Sequence, residues 1–226
     1  CTSLAKEQSV FPRGQDMFLK ADPYIDTIRT DYDVVIHLID HRVPISVLLQ
    51  QESMLIERIS LTSHTQFILF SSSVVYANPD SEYGIRKTLL EQFYTDYCAK
   101  EGIPLTILRL FNTFGPFQFP YRPGSLVTNL IYNYLNHKPT EIKDIHTKRD
   151  FIFSKDITKF VEFVVRNKTE GTFDIGSGML LSIEELIAVL EEDILKDKLT
   201  IVNKNVTEQV TCPPAQTELF ESSKLT

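Results

Sequence analysis

Short apolar runs alternate with longer stretches in which apolar residues recur at helical spacing. The run Phe67-Ile68-Leu69-Phe70 ends in three hydroxyls, Ser71-Ser72-Ser73. Such a run reads as a buried parallel strand whose carboxyl end opens into a crevice. Residues 105–110 form a second buried run, followed by Asn112 and a Gly115-Pro116 turn. Further strands are predicted at 18–22, 33–39, 172–175 and 199–202. Helices are predicted at 43–61, with Glu52, Glu57 and Arg58 outward, then at 83–100 with Gly102 as terminator, 125–135 and 157–166. Ser182 with Glu185 three residues later is a capping box, opening a helix to about residue 194. This alternation implies an α/β fold: a parallel, doubly wound sheet with right-handed crossovers.

Composition narrows the class. The 226 residues are 42% hydrophobic and 23% charged, ordinary values for a packed core. A net charge of −7 argues against a nucleic-acid binder, though a small anionic ligand needs only a few local cations. Cys1, Cys98 and Cys212 are odd in number and scattered, which suits a reducing cytosol and offers no disulfide framework. His41, His64, His137 and His146 share no metal-like spacing. No run is long and apolar enough to span a bilayer, so no membrane partner is expected.

The candidate chemistry lies in Tyr83-Gly84-Ile85-Arg86-Lys87. A free phenol titrates near ~10, too high for a base at neutral pH. A cation beside it favours the phenolate. Residues four apart share a helix face, so Lys87 can supply that cation; a solvated surface pair is the plain alternative.

Together with its neighbours this block resembles the extended short-chain dehydrogenases/reductases, the group of nucleotide-sugar epimerases and dehydratases. The resemblance rests on blocks in the family's order: residues 33–38, Ser71-Ser72-Ser73-Val74-Val75-Tyr76, the Tyr83–Lys87 block, residues 108–116 and Arg149-Asp150-Phe151-Ile152-Phe153-Ser154-Lys155-Asp156. Phe173-Asp174-Ile175-Gly176-Ser177-Gly178 and Ser223-Lys224-Leu225 resemble its later strand and last recurring turn. It implies a Rossmann-like dinucleotide-binding domain over 1–115 and a smaller, mainly substrate-binding mixed lobe over 116–226, with interleaved returns to the sheet. The family opens with a glycine-rich turn that cradles the pyrophosphate. No G-x-x-G-x-x-G occurs among the 8 glycines, so the first domain is expected to be incomplete at its amino terminus.

The resemblance also implies roles. Tyr83 is the catalytic base, Lys87 its partner and a ligand of the nicotinamide ribose, and Ser72 shares a hydrogen bond with the reacting sugar oxygen. Asp22 and Leu38 are implied for the cofactor, NAD or NADP, with Phe111 near the nicotinamide. Asn112 is implied to hold substrate and Arg149 to clamp its diphosphate, a geometry that suits a guanidinium. His37 is read as structural. The implied ligand is a nucleotide-diphosphate sugar, and the implied assembly a cytoplasmic homodimer pairing helices that include the Tyr83 helix.

Relatives that eliminate water or decarboxylate usually carry acidic residues after the serine. Ser73 and Val74 stand there, and neither is a general acid for loss of water. The expected activity is therefore nucleotide-sugar epimerisation through a transient keto sugar. A ketoreductase or a non-catalytic nucleotide-binding relative is the alternative.

Overall fold

In the computed structural model of the chain, which describes residues 32–39, 43–59, 61–122, 124–206 and 212–217, the alternation within one strand sets the two faces of the main sheet. Strand β2 (Gln66–Ser72) sends Phe67 and Leu69 to one side and Ile68 to the other. It lies between β1 (Val34–His37) and β3 (Leu105–Leu110), and β3 pairs with β7 (Gly171–Ile175). All three pairings are parallel. Parallel neighbours need crossovers, and helices supply them. Helices α1 (Ile45–Ile59) and α3 (Glu82–Glu101) cover the Phe67 face through Leu48, Ile56, Leu90, Tyr94 and Cys98. Helix α5 (Ser154–Asn167) covers the Ile68 face through Ile157, Phe160 and Val164. This is the doubly wound α/β arrangement that the alternating pattern predicts.

A second core lies downstream. Strand β4 (Asn112–Phe114) pairs parallel with β6 (Lys148–Phe153), which pairs antiparallel with β8 (Leu180–Ser182). Helices α4 (Leu126–Leu135) and α6 (Ile183–Val189) pack there through Val127, Leu130, Ile183 and Leu186. Strand β5 (Thr140–Ile142) pairs with β9 (Ile201–Asn203) in a two-stranded sheet. The pattern did not announce β4, β5, β6 or β8; β4, β5 and β8 have only three residues each, too few for a period to register.

The helix boundaries follow local chemistry. Ser81 caps α3 by accepting the Gly84 N–H at 3.0 Å, and Gly102 ends it in the left-handed region at φ 66°. The Ser182–Glu185 capping box is present. Beyond Val189 the helix widens into a π-helical turn, Leu190–Leu195, a change of register that pattern alone does not reveal.

One expectation is corrected. Glu52 is not outward but fully buried (0% exposed). Its Oε2 accepts the Tyr94 hydroxyl at 2.5 Å and meets His37 Nε2 at 3.1 Å. Glu52 stands four residues from both Leu48 and Ile56, on the buried stripe of α1, so its position outweighed its polarity. The structural role expected of His37 is the observed one.

Candidate active site

The site is built at the carboxyl end of β2, where ligands bind in open α/β sheets. Strand β2 ends at Ser72, and the short helix α2 (Val74–Ala77) follows at once. Ser72 Oγ accepts the Val74 N–H at 3.3 Å, so the hydroxyl caps that turn and keeps its own proton to donate.

Helix α3 enters beside this turn. Tyr83 lies in its first turn with 43% of its surface exposed, while Lys87, one turn on, is 8% exposed. The Lys87 ammonium lies 5.7 Å from the Tyr83 ring centroid and donates to the Phe70 carbonyl at 3.3 Å. The two residues thus stand as the four-residue spacing predicts, cation inside and phenol open to an incoming molecule. Gly84 makes this entry possible. A β-carbon there would lie 2.2 Å from the Asn78 carbonyl oxygen and 2.7 Å from that of Pro79. Only a residue without one lets the helix start so close to the preceding loop.

The other predicted residues divide between the two sheets. Leu38 follows β1 and is exposed. Phe111 is buried between β3 and β4, its N–H on the Ile175 carbonyl at 3.0 Å. Asn112 opens β4 and donates to the Asp150 carbonyl at 3.0 Å. Arg149 sits on β6 opposite Leu181 and lines a cavity of about 170 Å³ with Leu126, Lys143 and Ile183. Asp22, the strand predicted at 18–22 and the Ser223-Lys224-Leu225 turn lie outside the described residues.

Sequence reasoning passed over a polar cluster beside Ser72. Ser71 and Arg109 both bond Glu91 of α3, and Arg109 also donates to the Tyr76 hydroxyl, which donates to Asp174 at 3.1 Å. Burial raises the Tyr76 phenol above its ordinary value, with Asp174 adding to the rise against the opposing pull of Arg109. Hydrogen bonds to Glu91 hold the Arg109 guanidinium more firmly protonated than usual. The signal was there: an arginine inside an apolar strand must find a buried partner.

Asp150, 1% exposed, is a second such residue. Its carboxylate accepts Ser177 N–H at 2.6 Å, Ser177 Oγ at 2.8 Å, Gly178 N–H at 3.0 Å and Ala215 N–H at 3.0 Å. It therefore ties segment 212–217 to the loop after β7. Gly176 makes room for it, since a β-carbon there would meet Asp150 Oδ2 at 2.7 Å. Among the described residues no group of His, Cys, Asp and Glu could hold a metal ion, and no helix is long and apolar enough to cross a membrane.

Comparison with known proteins identifies the family and agrees with this fold. The sequence profile of the NAD dependent epimerase/dehydratase family matches residues 52–176. An uncharacterized UDP-glucose epimerase of Bacillus subtilis is 31% identical over 150 residues, 60% of this chain and 46% of that protein. A putative UDP-glucose 4-epimerase of Methanocaldococcus jannaschii is 30% identical over 118 residues, 52% of this chain and 38% of that protein. The match thus spans less than half the length of either relative. Among solved structures, a UDP-glucuronic acid 4-epimerase of Bacillus cereus, in complex with a fluorinated UDP-glucuronic acid and NAD, superposes with a TM-score of 0.73. It is 24% identical, over 97% of this chain and 78% of that one. A UDP-N-acetylglucosamine 4-epimerase of Methanobrevibacter ruminantium superposes with a TM-score of 0.70 at 20% identity, over 92% and 74% of the two chains. At such identities these likenesses speak to the fold.

Proposed function

The chain belongs to the NAD dependent epimerase/dehydratase family, and from that premise we propose that it acts as an NAD(P)-dependent nucleotide-sugar epimerase passing through a keto sugar. The observation that carries the proposal is the placement of Lys87 beneath Tyr83 at the end of β2. An ammonium so placed favours the phenolate, which is what a base for a sugar hydroxyl requires.

In this reading residues 1–115 hold mainly the dinucleotide and residues 116–226 mainly the sugar nucleotide. The fit to a nicotinamide cofactor rests on Lys87, buried beside the open end of the sheet, and on exposed Leu38 after β1. Among the described residues no glycine-rich turn precedes β1 to cradle a pyrophosphate, so the fit concerns the nicotinamide end and Lys87 would hold its ribose. When bound, that cofactor supplies the hydride acceptor and donor. Asp22, outside the described residues, is assigned to the adenine end, and Phe111 to the floor under the ring.

The protein's own residues do the rest. Tyr83 takes the proton of the reacting sugar hydroxyl and returns it after the sugar has turned over. Ser72 donates to the same oxygen, its hydroxyl accepting from the Val74 N–H and keeping its own proton to give. Asn112 orients the sugar, and Arg149 meets the diphosphate from the second core. The relatives named for UDP-sugars make a UDP-hexose the first substrate to try. Ser73 and Val74 lie where a dehydratase or decarboxylase would need an acid, which favours epimerisation. The reading includes a homodimer pairing helices such as α3, which light scattering checks.

The test is to incubate the full-length protein with UDP-glucose and cofactor and follow both the sugar product and the reduced nicotinamide. An epimerase converts the sugar with no net change in reduced cofactor. Stoichiometric loss of reduced cofactor with a keto-sugar substrate identifies a ketoreductase instead. Retention of activity by Tyr83→Phe overturns the assignment of the base, and absence of both binding and turnover identifies a non-catalytic relative.

A further inference from the structure

We propose that Glu91 and Arg109 are positioning residues, whose ion pair locks the helix carrying Tyr83 and Lys87 to the chain on both sides of Ser72. The proposal rests on the reading of Tyr83 as the acid–base group.

Glu91 lies four residues after Lys87 and eight after Tyr83, so the three share one stripe of α3. Eight residues at the helical rise place Glu91 about 12 Å along the axis from Tyr83. It is too far to touch a reacting atom there, yet it is part of the same rigid rod. The residue is 8% exposed and its carboxylate accepts three bonds: Ser71 Oγ at 2.5 Å, Arg109 Nε at 3.0 Å and Arg109 Nη2 at 2.6 Å. The guanidinium fork of Arg109 therefore meets it in the two-pronged geometry that fixes direction as well as distance. The remaining Nη1 of Arg109 reaches the Tyr76 hydroxyl, and the guanidinium carbon stands 4.9 Å from the Tyr76 ring centroid.

The consequence is a bracket around Ser72. Before it, Phe70 is bonded by Lys87 and Ser71 by Glu91, both from α3. After it, Tyr76 is held by Arg109, which itself holds Glu91. Strand register supports the bracket, since Ser71, Arg109 and Asp174 are direct partners across β2, β3 and β7. The hydroxyl and the phenol come from different elements, and this cluster links those elements with directional bonds. Apolar packing alone lacks that direction.

Stability is a weak reason for such a pair. A buried ion pair is often no more stabilising than apolar residues of similar volume. What it supplies beyond them is a single geometry. A catalytic group misplaced by about 1 Å can lose on the order of 100-fold in rate.

The experiment compares Glu91→Gln, Arg109→Lys and the double variant Glu91→Met/Arg109→Met with the parent and with Tyr83→Phe. Each full-length protein is assayed for kcat, KM and the pH profile of turnover on UDP-glucose. The double variant leaves no unpaired buried charge, so it reports even where a single variant fails to fold. The expected result is a kcat lower by about tenfold or more, KM within about threefold, and an acid limb moved to higher pH, because a helix that slackens against β2 draws the Lys87 ammonium off the Phe70 carbonyl that holds it beside the phenol. A residue that only stabilised the fold would reduce the amount of active protein without moving that limb. If the clamp variants keep the parent's kcat and limb while Tyr83→Phe is inactive, the positioning proposal fails alone. If Tyr83→Phe turns over like the parent, the underlying reading fails.

Discussion

The ammonium of Lys87 lies 5.7 Å from the centre of the Tyr83 ring while it donates to the carbonyl of Phe70. One side chain thus does two things: it sets a positive charge under the phenol and fastens the helix to the strand that ends at Ser72. Both depend on the ammonium, and neither survives its removal.

Lys87→Met keeps the length of the side chain and removes the charge. The expected turnover is lower by about 100-fold near neutral pH, in the range usual for a disabled acid–base group. With Tyr83 as the proposed base, the cation fixes the sign: without it the phenol holds its proton more firmly, so the fraction able to act as base at neutral pH falls. Rate should recover as pH rises. A pH profile of kcat checks this, and a profile parallel to the parent's at every pH would contradict it.

Gly84 bears on the same site from the other side. Its would-be β-carbon meets backbone oxygens of Asn78 and Pro79, which cannot swing away as a side-chain tip can. Gly84→Ala must therefore move the first turn of α3, the turn that holds Tyr83. We expect a loss of about 1–3 kcal/mol in stability, as for other overpacked sites. Turnover should drop further than the folded fraction explains. Chemical denaturation and kcat measured on one preparation separate the two effects.

The fold was legible where periods are long. The seven residues of β2 hold an unbroken apolar run closed by hydroxyls and the 20 of α3 run to a terminating glycine, and the structure follows both closely. Several short elements were not legible: Thr140–Ile142 and Leu180–Ser182 are strands only because a partner lies alongside. In the candidate site, the adjacency of Tyr83 and Lys87 was readable because helix geometry makes it local. The Glu91–Arg109 contact was not, because it joins a helix to a strand 18 residues away. Polarity misled at Glu52, where a carboxylate sits on an apolar stripe.

Glu52 yields a direct stability prediction. Its carboxylate is wholly buried and accepts the Tyr94 hydroxyl, with His37 alongside. Glu52→Ala removes the acceptor but leaves Tyr94 and His37 inside the core formed by α1, β1 and α3. Breaking a buried polar cluster from one side typically costs about 3 kcal/mol or more. Urea unfolding should show this as a lower midpoint with an unchanged slope. Glu57→Ala, on the exposed face of the same helix, should change little.

The last prediction concerns pH and the Cys98 thiol. Cys98 is packed among Tyr94, Ile103 and Ile107, and this burial pushes its thiol from an ordinary 9.0 up to about 11. Well below pH 9 the thiol is protonated both folded and unfolded, so its titration does not alter stability. Above that the unfolded chain releases the proton first, and the native state loses stability progressively as pH climbs towards 11. Burial raises the Tyr97 and Tyr76 phenols as well, so some decline must persist at still higher pH without the thiol. The diagnostic quantity is therefore the difference between the parent and Cys98→Ala. The variant should be less stable at neutral pH by about 1 kcal/mol, from the lost packing, and its decline between pH 9 and 11 should be shallower. Because the thiolate is the reactive form, alkylation of Cys98 at pH 8 should proceed only as fast as the protein opens. Urea midpoints across that pH range, together with mass-spectrometric mapping of the modified cysteine, test both consequences; a variant whose midpoint falls as steeply as the parent's would place the titration elsewhere.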